Sequence, residues 1–234
     1  MYNLKITLIL LIFGLFFMQK VFAQQVIVTV PNADVLDKGS TLFRISDRFR
    51  TFHPGRANFL STSLYYGIGS RLEAQLGISG LDFNDSNEIA GLLGVGIKKV
   101  YFITDRFKLT AGTRIDVNLE HNKTPYNFNY AHLSYQFPWR DLRLTSGMFV
   151  QNEIPNKDFL SYNTGVLLGL EVFIIKDKLY FVSDWISRKE LVGNYGVGFK
   201  YKPTPTIGIV PGILFPNKDM SRIVFFIAAA KVFN

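Results

Sequence analysis

From residue 40 to the C-terminus, apolar and polar residues alternate with a period of two in segment after segment. The cleanest case is residues 106–120. Phe107, Leu109, Ala111, Ile115, Val117 and Leu119 fall on one face, and Lys108, Thr110, Arg114, Asp116, Asn118 and Glu120 on the other. Period two is the signature of an extended strand with different surroundings on its two faces. An ordinary strand runs to about five or six residues, whereas a tilted membrane-crossing strand needs about 9–11. The pattern here has the second length. Residues 71–80, 41–52, 141–151 and 192–201 repeat it, with Asp47 on the apolar face as an exception. Segments 57–68, 125–137, 178–188 and 205–214 alternate less cleanly and are placed by spacing and turns.

Counting predicts about twelve strands, near 40–52, 57–68, 71–81, 88–103, 106–120, 125–137, 141–152, 163–175, 178–188, 191–202, 205–215 and 221–233. No stretch has apolar spacing of 3.6 residues. The connections fall into two alternating classes. Tight ones lie at 69–71, 104–106, 138–141, 176–178 and 203–205; mostly longer, polar ones lie at 53–56, 82–87, 121–125, 153–162, 188–191 and 216–220. Short turns at one end and longer loops at the other are the grammar of an up-and-down barrel in the outer membrane. The expected fold is therefore all-β: a transmembrane antiparallel up-and-down β-barrel spanning residues 39–234, with both termini in the periplasm. Tyr65, Tyr66, Tyr101, Phe102, Phe107, Phe137, Trp139, Tyr180 and Tyr201 flank the tight turns, as a periplasmic aromatic girdle would. The last strand ends on Phe233, followed by Asn234. A terminal aromatic is what the barrel-assembly machinery reads, so that machinery and outer-membrane lipid are expected partners.

Composition supports this picture. Apolar residues make up 48% of the 234 residues, yet no long apolar run follows residue 23. A helical membrane protein would gather them into runs of about 20. The N-terminus reads as a secretory signal, residues 1–23: Lys5, an apolar stretch from Ile6 to Met18, and Val21-Phe22-Ala23 before cleavage. An uncleaved anchor is the alternative. Residues 24–38 are then a short periplasmic leader, interrupted by Pro31 and Asn32. Cysteine is absent, so an exported fold of this size must close by hydrogen bonding and packing, which a barrel does. The net charge is +8, and removing Lys5 and Lys20 leaves +6. No Lys/Arg tract is clustered, which argues against nucleic acid as a partner.

Two stretches carry a resemblance. ADVLDKG (33–39) precedes the first strand, and YYGIGSRLEAQLG (65–77) forms a strand–turn–strand. Together they resemble a family of Gram-negative outer-membrane barrels described as transporters and associated with degradation of aromatic compounds such as phenol. Asp37 stands where that family often has proline, and Ser70 where it has aspartate. The resemblance covers about a fifth of the chain. It implies the barrel fold and a transport role.

Candidate chemistry is sparse. His53, His121 and His132 are far apart and show no ligand spacing, so no metal site and no cofactor are expected. His132-Leu133-Ser134 resembles the His-x-Ser pair of outer-membrane lipid A deacylases, and its spacing puts both side chains on one face. Tyr135-Gln136-Phe137 replaces the residues such an enzyme carries next, so two ordinary lumen residues are the preferred reading. Gly91, Gly94 and Gly96 lie within a strand and form no phosphate loop.

The polar face is the informative constellation. If the apolar faces meet lipid, the lumen receives Arg44, Arg48, Arg50, Arg71, Lys98, Lys108, Arg114, Arg143 and Lys200, opposed by Glu73, Asp116, Glu120, Glu171 and Asp184. A midplane Arg or Lys on the lipid side would cost about 2–4 kcal/mol, so these charges are placed inside. Two readings follow. One is a narrow channel or transporter for small solutes, its mildly basic lumen favouring anions, with Arg44, Arg48, Arg71, Lys108, Arg114, Arg143 and Lys200 as the principal lining. The other is a salt-bridged interior that fills the barrel, leaving a structural or surface-interaction role. A lipid-modifying enzyme ranks last. No loop exceeds about ten residues, so only the leader could act as a plug.

Overall fold

The computed structural model describes residues 26–49, 58–82, 90–119, 125–138, 142–153, 163–188, 193–218 and 223–234. Twelve strands cover most of them. They are β1 (Thr41–Phe49), β2 (Asn58–Gly69), β3 (Leu72–Asp82), β4 (Ala90–Phe102), β5 (Phe107–Asn118), β6 (Tyr126–Gln136), β7 (Leu142–Glu153), β8 (Asn163–Ile175), β9 (Leu179–Ile186), β10 (Asn194–Thr204), β11 (Ile207–Pro216) and β12 (Val224–Phe233). Every strand lies within three residues of a predicted one. Each pairs antiparallel with its sequence neighbours. β1 also pairs with β12, from Thr41↔Phe233 to Phe49↔Phe225, which closes the barrel. Closure leaves no edge strand, so the wall's backbone groups pair within the wall.

Side chains on the outer face are mostly apolar: Leu64, Leu76, Val95, Ile115, Met148 and Phe199 all point away from the interior. A water-soluble protein rarely exposes an apolar patch beyond a few hundred Å². Among the described residues three charges interrupt this face. Asp47 lies between Leu60 and Ile227, Lys99 between Leu72 and Ala111, and Lys231 between Phe43 and Ile207. Each sits two or three residues from a strand end, where a lipid-facing charge costs least. The Lys231 ammonium lies over the Phe233 ring at 4.9 Å.

The aromatic girdle is narrower than the sequence suggested. Tyr66, Tyr101 and Tyr201 point outward near the tight turns, but Tyr65 and Tyr180 face inward and are buried. Arg71 also departs from its expected lumen position. It sits in the β2–β3 turn with φ +62°, its guanidinium 3.9 Å over the Phe102 ring. The tight turn leaves it beyond the end of the wall. The signal (1–23), Arg50, Glu120, Trp139, His53, His121 and most of the longer connections lie outside the described residues.

The interior is not uniformly polar. Along β8 to β12 the inward positions carry Leu167, Val182, Ile186, Val210, Leu214, Val224, Phe226 and Ala228, all buried. Wall residues alone do not bury this surface. Ile27, Val28 and Val30 of the leader complete the cluster.

Candidate functional site: the barrel lumen and its hairpin

Residues 26–36 lie inside the barrel, and 37–39 are exposed at its rim. Val26 bridges Pro31, and the Ile27 N–H donates to the Val30 carbonyl at 2.8 Å, folding the segment into a hairpin. At its tip three successive backbone N–H groups, those of Val28, Thr29 and Val30, converge on Asp184 Oδ2 at 2.8, 2.5 and 2.7 Å. Thr29 Oγ1 donates to Asp184 Oδ1 at 3.0 Å. Successive N–H groups aimed at one point form an anion-binding nest. Here the anion is a side chain of β9. Glycines on the wall make room for the tip. A Cβ on Gly169 would overlap Ile27 Cδ1, and one on Gly196 would lie 2.8 Å from Val28 Cγ1.

The base of the hairpin is fastened to β2 and β3. The Leu36 N–H donates to Glu73 Oε2 at 3.1 Å. Gly39 N–H donates to the Gly67 carbonyl at 2.8 Å, and Gly67 N–H to the Ser40 carbonyl at 2.9 Å. Gly39 has φ +86°, a conformation that favours glycine, and a Cβ on Gly67 would collide with the Asp37 carbonyl. Ser40 Oγ donates to Asn234 Oδ1 at 3.0 Å, tying the start of the wall to its end. ADVLDKG and the stretch beginning YYG, separate in sequence, are therefore two halves of one clasp.

Most lumen charges are paired. Lys98 meets Glu73 at 3.3 Å, and Arg114 meets Asp116 at 2.6 Å. Glu171 is shared by Arg143 and by Lys200, the latter at 2.9 Å. Asp34 on the hairpin takes the remaining face of Arg143 through two hydrogen bonds, of 2.8 and 3.0 Å, and lies 3.6 Å from Lys108. Burial acts to raise the Asp34 carboxyl. The Arg143 guanidinium, its hydrogen bonds and Lys108 outweigh that and hold it well below the usual carboxylate range. Asp34 thus stays ionised and bound through mildly acidic conditions.

Of the sequence-derived lining, Lys108, Arg114, Arg143 and Lys200 point inward as ion-paired groups. Arg44 and Arg48 also sit at inward register positions on β1, opposite Ala230 and Phe226. Among the described residues no carboxylate lies within ion-pair distance of either. The wall beside them is small. Ser61, Ser63, Gly77, Ser79, Gly94 and Gly96 occupy the inward positions of β2, β3 and β4 that follow one another across the sheet. Sequence reasoning placed Asp184 in the lumen but missed its partner, and it missed Asp34. The readable signal was the apolar, β-branched run Val26-Ile27-Val28 in a segment assigned to water.

His132 and Ser134 share the inward face but do not bond to each other. Ser134 Oγ and Thr145 Oγ1 are 2.8 Å apart, whereas neither His132 nitrogen has a hydrogen-bond partner among the described residues. No described carboxylate orients the imidazole, so the pair as placed does not form an activated hydroxyl.

Neither a protein family nor a curated protein matches the chain. Solved structures do. An outer membrane channel from Pseudomonas putida F1 superposes with a TM-score of 0.57 at 12% identity, over 86% of this chain and 98% of that one. The KdgM porin, solved in complex with disordered oligogalacturonate, gives 0.55 at 10% identity over 83% and 99%. The Acinetobacter baumannii outer membrane protein Omp33 gives 0.54 at 9% identity over 86% and 100%. At these identities the likeness is one of fold.

Proposed function

We propose that this chain is an outer-membrane channel for small solutes, with its pore closed at rest by its own N-terminal hairpin. The apolar outer face needs a hydrocarbon surround, and an exported closed barrel finds one in the outer membrane. In this reading the short turns and both termini face the periplasm and the longer connections face outward. Fold likeness to a porin and to an outer membrane channel supports a transport role over an enzymatic one.

One observation carries the reading. A segment that is not part of the wall fills the interior along β8 to β12, while the wall beside Arg44 and Arg48 keeps serine and glycine inward. A small barrel with a purely structural role fills its interior with wall side chains. With the hairpin withdrawn, a passage remains that is basic and polar along β1 to β5 and largely apolar along β8 to β12. Arg44 and Arg48 lie on its face, which supports a preference for anions.

Planar-bilayer recording tests this. Wild-type protein is expected to conduct weakly, and protein lacking residues 24–38 to show steps several-fold larger, with reversal potentials that favour anions. Arg44→Glu with Arg48→Glu should shift selectivity towards cations. A correctly inserted deletion protein without conductance would instead establish the filled, structural barrel. Cation selectivity of the unsubstituted deletion protein would sink the electrostatic argument.

A further inference from the structure

Asp34 makes a contact unlike the others in the lumen. Arg143 Nη1 and Nη2 each hold one oxygen of its carboxylate, a planar two-point fork. Lys108 lies at 3.6 Å, and Lys98 Nζ donates to the Asp34 backbone carbonyl at 2.6 Å. All three cations belong to the wall, and the carboxylate belongs to the hairpin. The wall's own acids are engaged elsewhere: Glu73 faces Lys98, and Glu171 is shared by Arg143 and Lys200. Among the described residues, Asp34 is therefore the one carboxylate that reaches Lys108. If the hairpin left, Lys108 would lose its carboxylate and Arg143 would keep only Glu171, which it shares with Lys200, so three cations would face one acid.

A second observation lies beside this one. Thr110 and His132 are cross-strand partners next to the Lys108↔Ser134 pair, and all face inward. Thr110 and His132 are at most 1% exposed, yet Thr110 Oγ1, His132 Nδ1 and His132 Nε2 have no hydrogen-bond partner among the described residues. Buried polar groups in folded proteins are ordinarily paired. Hydrogen-bonding capacity is thus held in reserve next to a carboxylate fork.

We propose that Arg143 and Lys108 form the channel's binding site for a small carboxylate solute, and that Asp34 occupies it as a built-in substitute for that solute. A carboxylate that takes the fork displaces Asp34, frees the hairpin and opens the pore. Thr110 and His132 serve the remainder of the ligand. A guanidinium fork can pair bidentately with carboxylate or with phosphate; the Asp34 carboxylate seated in this one, an oxygen on each of Arg143 Nη1 and Nη2, is what favours carboxylate as the ligand class. The proposal rests on the reading of a hairpin-closed channel, and it names that channel's solute class and trigger.

Calorimetry on the detergent-solubilised full chain reads the site without any current. Succinate is expected to bind Asp34→Ala at least tenfold tighter than wild type, because the internal competitor is gone. Adding Arg143→Gln should abolish the gain. Asp34→Asn, nearly isosteric, should show the same gain if the alanine variant folds poorly by its heat-modifiable band. Equal affinity in wild type and both Asp34 variants would overturn the proposal, as would tight binding that survives Arg143→Gln. Inorganic phosphate binding as tightly as succinate would overturn the carboxylate assignment. In bilayers succinate should raise the open probability of wild type, and uncharged 1,4-butanediol should not. Tight succinate binding without this rise would overturn the trigger. Failure of the deletion protein to conduct would reject the channel while leaving the binding result standing.

Discussion

Asp184 supplies most of the hydrogen bonds that hold the hairpin tip, with Thr29 Oγ1 also 3.1 Å from Asn194 Oδ1. Asp184 Oδ2 accepts from three consecutive backbone N–H groups and its Oδ1 from the Thr29 hydroxyl. Val28 and Val30 belong to the buried apolar cluster that includes Leu167, Val182 and Leu214, and the hydrogen bonds of the three N–H groups go to Asp184. Leaving a buried donor unmatched costs roughly 1–3 kcal/mol per group, and about 1.4 kcal/mol is a factor of ten in population. Asp184→Ala should therefore raise the open fraction by tenfold or more, read as dwell times in single-channel records. Asp184→Asn, which keeps one carbonyl acceptor, should fall between. Unchanged closed times in the alanine variant would mean that the tip is held elsewhere. Asp184 was legible as a lumen carboxylate from its place in β9, but nothing local to it pointed to residues 28–30. The clasp glycines, Gly39 and Gly67, were legible only as part of a motif, because their reason is the approach of two backbones.

At the scale of elements, β5, β7 and β10 alternate cleanly because lipid lies on one side and polar lumen on the other. β9 and β11 alternate poorly, and the structure supplies the cause. Their inward residues, Val182, Ile186, Val210 and Leu214, pack on the hairpin, so both faces are apolar. β6 loses its pattern differently. Tyr126, Phe128 and Tyr130 turn inward, with Phe128 stacked on Phe149 at 5.2 Å, while Asn127 and Asn129 share the outward face with Thr113. The hairpin in turn depends on sockets in the wall. Gly169→Leu would fill the space that Ile27 Cδ1 occupies without touching the strand ladder. This variant should retain the heat-modifiable barrel of wild type and yet conduct like the deletion of residues 24–38. A closed channel with leucine at 169 would show that Ile27 is not what seats the hairpin.

The whole molecule is a closed wall with its termini at the short-turn end and its longer connections at the other. Absence of cysteine makes orientation directly testable. Lys218→Cys, beyond the end of β11, should react with an impermeant maleimide on intact cells. Lys176→Cys, in the β8–β9 turn, should react only after the outer membrane is opened. The reverse labelling would invert the barrel. Strand number, strand limits and the direction of the clean faces were readable from the chain alone. They depend on local facts: a period of two, the length needed to cross a membrane, and turn residues at alternate ends. That the leader was the one segment able to plug the barrel was readable; where it docks was not, nor was the pairing of the lumen charges. Val28 meets Asp184 across 156 positions and Asp34 meets Arg143 across 109. No periodicity records such a contact, because it arises only when the wall has closed and its interior becomes a surface that a separate segment can fill.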